Sequence, residues 1–235
     1  MSWTSARKEK RMTEVAENTI SEQKYNLFLG GTVFYGLLVN IILCAVAGET
    51  MLDWVVQSKS NSIILCVGYL VFAAVGIIIS HKSSSPAISF LGYNLLVVPM
   101  GLMVSVMVSA YLSAGMGDVV FQAIIITAVT TFAMIVLSCA FPNFFAKIGG
   151  ILCAALIGLI VGELLSLLIF RSRSDIFAWL GAAIFSLYIG YDYWKAQQYP
   201  KTVDNAIDSA VDIYLDIINL FIRILQILGN SRSRD

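Results

Sequence analysis

Three aspartates spaced four residues apart, Asp208, Asp212 and Asp216, interrupt the apolar stretch DSAVDIYLDIINLF near the end of the chain. On a helix of 3.6 residues per turn they share one face, which also carries Asn205 and Asn219. Carboxylates in this pattern could bind protons or hard cations such as Ca²⁺, which prefers oxygen ligands. A structural alternative stays open: acids at a helix start complement its dipole and remain hydrated, and a deeper acid can be satisfied by a hydrogen bond.

Two further acids lie within apolar runs, Asp192 at the end of GAAIFSLYIGYD and Glu163 in the run before it. An ionisable group at the centre of a membrane helix costs about 2.5–3.5 kcal/mol on insertion scales, so each is a functional candidate. If the last two helices return antiparallel, Asp192 and Asp216 can face each other. Two close carboxylates do not readily both ionise, so the pair would share a proton and respond to pH. Glu163 has two open interpretations, a second acidic step for an ion or a structural group.

The composition indicates whether these acids belong to a soluble protein or to a membrane protein. The 235 residues are 58% hydrophobic and 13% charged, with a mean hydropathy of +0.82, whereas soluble domains are about 45–50% apolar and about 25% charged. Fifteen basic and fifteen acidic residues cancel, which excludes the basic surface that nucleic-acid binding needs. The sequence therefore predicts an integral membrane protein whose main partner is the lipid bilayer.

A membrane-spanning helix takes about 20 apolar residues. Seven such runs occur, near 27–48, 62–80, 88–112, 119–141, 148–170, 176–194 and 206–228. The loops between them are short, which favours one all-α bundle of seven transmembrane helices over residues 27–229. A polar N-terminal arm, 1–26, precedes this domain, and a short polar tail, 230–235, follows it.

The basic residues indicate the orientation. With seven spans, nine Lys and Arg residues fall on the side of the N-terminus and six on the other side, so the positive-inside rule predicts an inside N-terminus. No organelle signal is apparent, which favours a bacterial plasma membrane. Protein partners do not follow from the sequence.

Other kinds of chemistry have little support. The four cysteines lie in separate apolar runs without a CxxC pair, and buried cysteine usually acts as a small hydrophobe. His81, the one histidine, ends the second run and is expected at the membrane interface. There is no phosphate loop, haem ligand pair or Ser-His-Asp arrangement, so we expect neither an enzyme nor a resident cofactor.

Two stretches, IFSLYIGYD (184–192) and IYLDIINLFIRILQILG (213–229), resemble the transmembrane Bax-inhibitor-motif family. The resemblance implies six helices around a central C-terminal helix. It also implies a Ca²⁺-permeable leak pathway gated by pH through two sensor aspartates, which fall on Asp192 and Asp216. These two carboxylates are then the candidate Ca²⁺ contacts. Asp208 and Asp212 are additional acids that would extend an acidic entrance for cations.

The counter-ion of the sensor pair is a separate question. Some bacterial members of this family carry an arginine at the end of the second helix, where this chain has SHKSSS. His81 and Lys82 are the possible substitutes there. Lys195, three residues after Asp192 on the same helix face, is a local alternative.

Three other functions share some features with this sequence. Intramembrane aspartyl proteases also use two aspartates, and GYD at 190–192 fits, but their Gly-x-Gly-Asp and Pro-Ala-Leu motifs are missing. A proton-coupled secondary transporter of a small solute or ion remains the main alternative, since a titratable pair in the membrane suits proton coupling, although inverted repeats are not visible. A regulatory membrane protein acting through partners also stays open.

Overall fold

The computed structural model describes residues 19–170 and 175–232, and its regular elements there are all helical. The seven α-helices of these ranges are α1 (Glu22–Gln57), α2 (Lys59–Lys82), α3 (Pro86–Ser113), α4 (Gly117–Ala140), α5 (Pro142–Leu165), α6 (Asp175–Gln197) and α7 (Val203–Arg232). A short π-helical turn, Ser166–Phe170, follows α5 directly. The predicted all-α fold is confirmed.

Six of these helices, α1 to α6, are long and apolar enough to cross a membrane. Their outward positions carry large apolar side chains, as lipid contact requires. The chain is therefore a multi-pass membrane protein. The predicted seventh span, 206–228, lies within α7, which is 30 residues long. Its acids distinguish α7 from the six apolar helices α1 to α6.

The C-terminal helix α7 is buried along almost its whole length. Every residue from 203 to 229 is buried or half-buried, in contrast to the lipid-facing sides of α1 to α6. This burial explains how a helix with an acidic stripe is tolerated, because polar groups in a membrane are turned toward protein.

The helix ends follow local rules. Ser21 caps α1 by accepting a hydrogen bond from the Lys24 N–H at 3.4 Å, so α1 begins at Glu22, ahead of the apolar run. Ser58 separates α1 from α2 and accepts from the Ser60 N–H at 3.1 Å. Pro86 and Pro142 start α3 and α5, where the missing N–H of proline has no helical acceptor to lose.

The chain divides into two compact units. The N-terminal unit contains α1, α2, α3 and the segment 198–214, which includes the first part of α7. The C-terminal unit contains α4, α5, α6 and the rest of α7 from residue 215. Each unit thus packs three helices with part of α7.

In the N-terminal unit α2 and α3 cross at two glycines, Gly76 and Gly92, so closely that a Cβ on either would meet backbone of the other helix. Tyr93 and Tyr214 pack edge to face with ring centroids 5.6 Å apart. The Tyr214 hydroxyl and the Asn40 side chain are hydrogen-bonded at 2.8 Å. These contacts hold the first part of α7 against α1 and α3.

The C-terminal unit has an apolar core on α5, formed by Phe145, Ile148 and Leu152. Aromatic side chains of α6 pack against it, among them Tyr191, which lies where a Cβ of Gly149 would be. The small residue on α5 therefore makes room for an aromatic ring on α6, and the close approach of these helices depends on it.

Candidate functional site

Three of the four acids of α7, Asp204, Asp208 and Asp216, are buried, and in the N-terminal unit serine hydroxyls hold two of them. Ser89 Oγ of α3 donates to Asp204 Oδ1 at 2.5 Å, and Ser80 Oγ of α2 donates to Asp208 Oδ1 at 2.6 Å. Asp208 is fully buried. Because hydrogen bonds to carboxylates are among the stronger ones in proteins, these contacts fix the start of α7 against α2 and α3.

The only histidine of the chain completes this cluster. His81 is 4% exposed, and its Nδ1 lies 3.3 Å from Asp208 Oδ2 while its Nε2 lies 3.8 Å from Asp212 Oδ1. The sequence placed His81 at the end of α2 as an interfacial residue. The structure places it at that end of the helix, but with its ring buried against α7. Its neighbour Lys82 is exposed.

Asp192 lies in the C-terminal unit with Lys195, whose Nζ is 2.7 Å from Asp192 Oδ1. Asp216 belongs to the same unit, and the Asp192 and Asp216 side chains are both buried. The structure thus places both acids of the expected sensor in one unit, with Lys195 against the first of them.

Glu163 is not a solitary acid. Arg223 of α7 donates to it through both terminal guanidinium nitrogens: Nη1 donates to Glu163 Oε1, and Nη2 donates to Glu163 Oε2 at 3.1 Å. The stem of Arg223 passes over Gly181 of α6, where any Cβ would lie 2.7 Å from the arginine Nε. A two-point arginine–carboxylate contact fixes orientation as well as charge. Sequence reasoning missed this pairing, although the intramembrane arginine was a visible signal.

The two asparagines expected beside the α7 acids bind backbone carbonyls. Asn205 Nδ2 donates to Pro200 O at 3.1 Å, and the Asn205 backbone N–H donates to Thr202 Oγ1 at 3.1 Å. Asn219 Nδ2 donates to Leu215 O, one turn back on the same helix, at 2.8 Å. Asn205 therefore shapes the turn that leads into α7.

Within residues 19–170 and 175–232, no group of three or more His, Cys, Asp or Glu residues is arranged to hold a metal ion. The four cysteines are free thiols. The acids of α7 instead divide into Asp204, Asp208 and Asp212 in the N-terminal unit and Asp216 in the C-terminal unit, which also contains Asp192.

Comparison with known proteins connects these sites to a family. The family model described as "Inhibitor of apoptosis-promoting Bax1" matches residues 17–233. An uncharacterized protein of Helicobacter pylori is 39% identical over 124 residues, which are 52% of this chain and 52% of that protein. The chain thus spans about half the length of the H. pylori relatives it matches.

Two further relatives are more distant or shorter in overlap. An uncharacterized protein of Borreliella burgdorferi is 26% identical over 236 aligned residues, covering 94% of this chain and 98% of that protein. The Bax inhibitor 1 of Schizosaccharomyces pombe is 36% identical over 93 residues, covering 39% of this chain and 35% of that protein.

Proposed function

The chain belongs to the Bax inhibitor family, and from this premise we propose that it is a pH-sensitive calcium leak channel in which Asp192 and Asp216 share a proton and form the gate. The family assignment rests on a match over residues 17–233. The observation that carries the proposal is the burial of two carboxylates, Asp192 on α6 and Asp216 on α7, within one unit.

The physical argument concerns charge. Two buried carboxylates near each other repel when both are ionised, so a shared proton or a passing cation lowers the free energy of the site. Lys195 supplies one positive charge at 2.7 Å from Asp192. A change of pH then changes the net charge at Asp192 and Asp216, and with it the attraction between α6 and α7 and the attraction for a divalent cation.

The remaining acids of α7 would attract cations electrostatically. Asp208, Asp212 and Asp216 follow one face of a single helix, and Asp212 is the more accessible of the first two, with a side chain 15% exposed. Carboxylate oxygens are the ligands that Ca²⁺ prefers, and acidic groups raise the local cation concentration. The pathway is assigned to these aspartates, because Glu163 is held by Arg223.

The test is Ca²⁺ uptake into dye-loaded proteoliposomes from about pH 5.5 to 8.5, because two carboxylates that share a proton titrate in two separate steps. Wild type is compared with Asp192→Asn and Asp216→Asn. Asp118→Asn is the matched control, because this acid lies in the same unit but is exposed at the start of α4. We expect pH-dependent flux in wild type and in the control, and a flattened pH dependence in both sensor variants.

Two results would overturn the proposal. The first is full pH dependence in both sensor variants, which would remove the aspartates from the gate. The second is the absence of Ca²⁺ flux at every pH in protein that is folded and inserted. In that case the pair would be tested for proton-coupled transport of a small solute.

We also propose that the N-terminus lies inside a bacterial plasma membrane. The support is the excess of nine Lys and Arg residues over six on the opposite side. A reporter that is active only in the cytoplasm, fused to the N-terminus in a bacterial host, should give signal. A signal from the same reporter at the C-terminus instead would reverse the assignment.

A further inference from the structure

The first three helices border an open groove that the proposed ion pathway does not use. Its walls are the last part of α1, the first part of α2 and the face of α3 between Leu91 and Leu102, and its volume is about 730 Å³. This volume lies within the range of about 300–1,000 Å³ of protein sites that hold small molecules. The whole groove belongs to the N-terminal unit.

A glycine on α2 keeps part of this space open. Gly68 lines the groove, and no heavy atom lies within 4 Å of the position that a Cβ there would take. On α3 the groove passes the exposed side chain of Val98 and then Pro99, a proline inside the helix. The groove is therefore a space beside three helices that the side chains of the chain leave unfilled.

The lining suits hydrocarbon better than a polar solute. Most of the lining side chains are apolar, among them Phe72 and Leu102. The polar Asn94 is already engaged within the protein, because its Oδ1 accepts from the Tyr35 hydroxyl at 2.7 Å and its Nδ2 donates to the Phe90 carbonyl at 2.8 Å. Since α1, α2 and α3 are candidate membrane spans, the hydrocarbon that reaches the groove is a lipid acyl chain.

The length of the groove matches one leaflet of a bilayer. The stretch of α3 from Leu91 to Leu102 rises about 16 Å at about 1.5 Å per residue. The hydrocarbon core of a bilayer is about 30 Å thick, so one leaflet contributes about 15 Å. Trp54 lines the groove less than one turn before α1 ends at Gln57, and tryptophan is typical of the membrane–water interface. An acyl chain in the groove would thus have its headgroup at the turn between α1 and α2.

Charged side chains flank the groove at this turn. Glu49 and Asp53 directly precede two lining residues, Thr50 and Trp54, and both acids are exposed. Lys59, which is also exposed, is the first residue of α2. Two carboxylates and one ammonium group complement a headgroup that offers an ammonium as well as a phosphate, and they disfavour one that is only anionic.

We propose that this groove binds one acyl chain of a zwitterionic phospholipid whose headgroup ends in an ammonium group. The chain lies along the apolar face of α3 and fills the space beside Gly68. The phosphate lies near Lys59, and the ammonium lies near Glu49 and Asp53. A lipid held in this way fills a gap that protein side chains leave open, and it becomes a structural part of the N-terminal unit.

The experiment counts the phospholipids bound to purified protein by native mass spectrometry, after release from detergent micelles. Delipidated protein is titrated with phosphatidylethanolamine or with phosphatidylglycerol, both carrying the same palmitoyl and oleoyl chains. In wild type we expect one retained phospholipid, with phosphatidylethanolamine bound about two- to fivefold more tightly, as exposed ion pairs allow. Glu49→Gln combined with Asp53→Asn should remove this preference. Asp118→Asn, an exposed acid at the start of α4, should keep it.

Two variants fill the groove, and a third is the matched control. In Gly68→Trp the dissociation constant of the lipid should rise about tenfold, because losing the contacts of about five chain carbons is worth about that factor. Val98→Trp fills the groove from α3, so the test does not depend on the folding of one variant. Gly30→Trp places the same side chain on α1 outside the groove, where a Cβ also has no heavy atom within 4 Å, and it should bind lipid as wild type does.

Four results would overturn the proposal. They are a wild type that retains no phospholipid, equal lipid binding by the control and by a folded groove variant, tighter binding of phosphatidylglycerol than of phosphatidylethanolamine, and a wild-type dimer that Gly68→Trp dissociates. The last result would make a second copy of the chain the occupant of the groove. None of these readouts needs Ca²⁺ flux, so failure of this proposal is distinct from failure of the proposed channel.

Discussion

The close crossing of α2 and α3 makes Gly76→Ala the most sharply defined stability test in the N-terminal unit. A Cβ at Gly76 would lie 2.5 Å from the carbonyl oxygen of Gly92 and 3.1 Å from the backbone nitrogen of Leu96. In the reverse direction, a Cβ at Gly92 would lie 2.6 Å from the backbone nitrogen of Ser80. Since these are backbone atoms of packed helices, neither helix can yield without moving as a whole.

The expected cost follows from two opposing effects. Overpacking of this kind costs about 1–3 kcal/mol, whereas alanine gains about 1 kcal/mol over glycine inside a helix. Gly68→Ala on the same helix isolates the second effect, because nothing lies within 4 Å of a Cβ at that position. The helix-propensity gain cancels between the two variants. Gly76→Ala should therefore be less stable than Gly68→Ala by the overpacking cost alone, about 1–3 kcal/mol.

The assay is unfolding of both purified variants in the same detergent, followed by circular dichroism. For a chain of this size about 1 kcal/mol corresponds to about 2–4 °C in melting temperature, so the two variants should be clearly separated. Equal melting temperatures for the two alanine variants would refute the reasoning, because the two helices would then have room for a methyl group.

Further predictions concern polar contacts. Glu163→Gln and Arg223→Gln should each lower the free energy of unfolding by about 1–3 kcal/mol. In a double-mutant cycle measured in detergent, the double variant should lose less than the sum of the two single losses. Additive losses would contradict the pairing. Tyr214→Phe leaves the buried amide of Asn40 without its hydroxyl partner and should cost about 1–3 kcal/mol by the same melting assay; an unchanged melting temperature would contradict this. Burial lowers the pKa of Lys201 from its ordinary 10.5. At a pH between the lowered pKa of the folded protein and the ordinary pKa of the unfolded chain, the unfolded chain therefore binds more protons. The destabilisation that Lys201 causes is relieved as the pH rises through this range. Wild type should therefore gain stability relative to Lys201→Gln over that alkaline range, and parallel pH profiles would contradict the assignment.

Much of the fold was predictable from the sequence because the signal for a membrane helix is local. Each apolar run of about 20 residues indicates its own span, and the structure has a helix at every predicted run. The aspartates of α7 could also be placed on one face from their spacing alone. The stretch that contains Asp216 carried the resemblance to the Bax inhibitor family, which the family match confirmed.

The partners of the polar side chains could not be predicted in this way. The burial of His81 against Asp208, the pairing of Glu163 with Arg223 and the crossing at Gly76 each join residues from different helices. Hydropathy gives the length of a helix, but not the rotation that decides which of its faces meets which neighbour. That choice comes from packing over the whole unit, where close backbone approach and paired charges are satisfied together. The sequence alone therefore determined the membrane helices and the acidic face of α7, whereas only the tertiary structure decided which base, serine or arginine each acid meets.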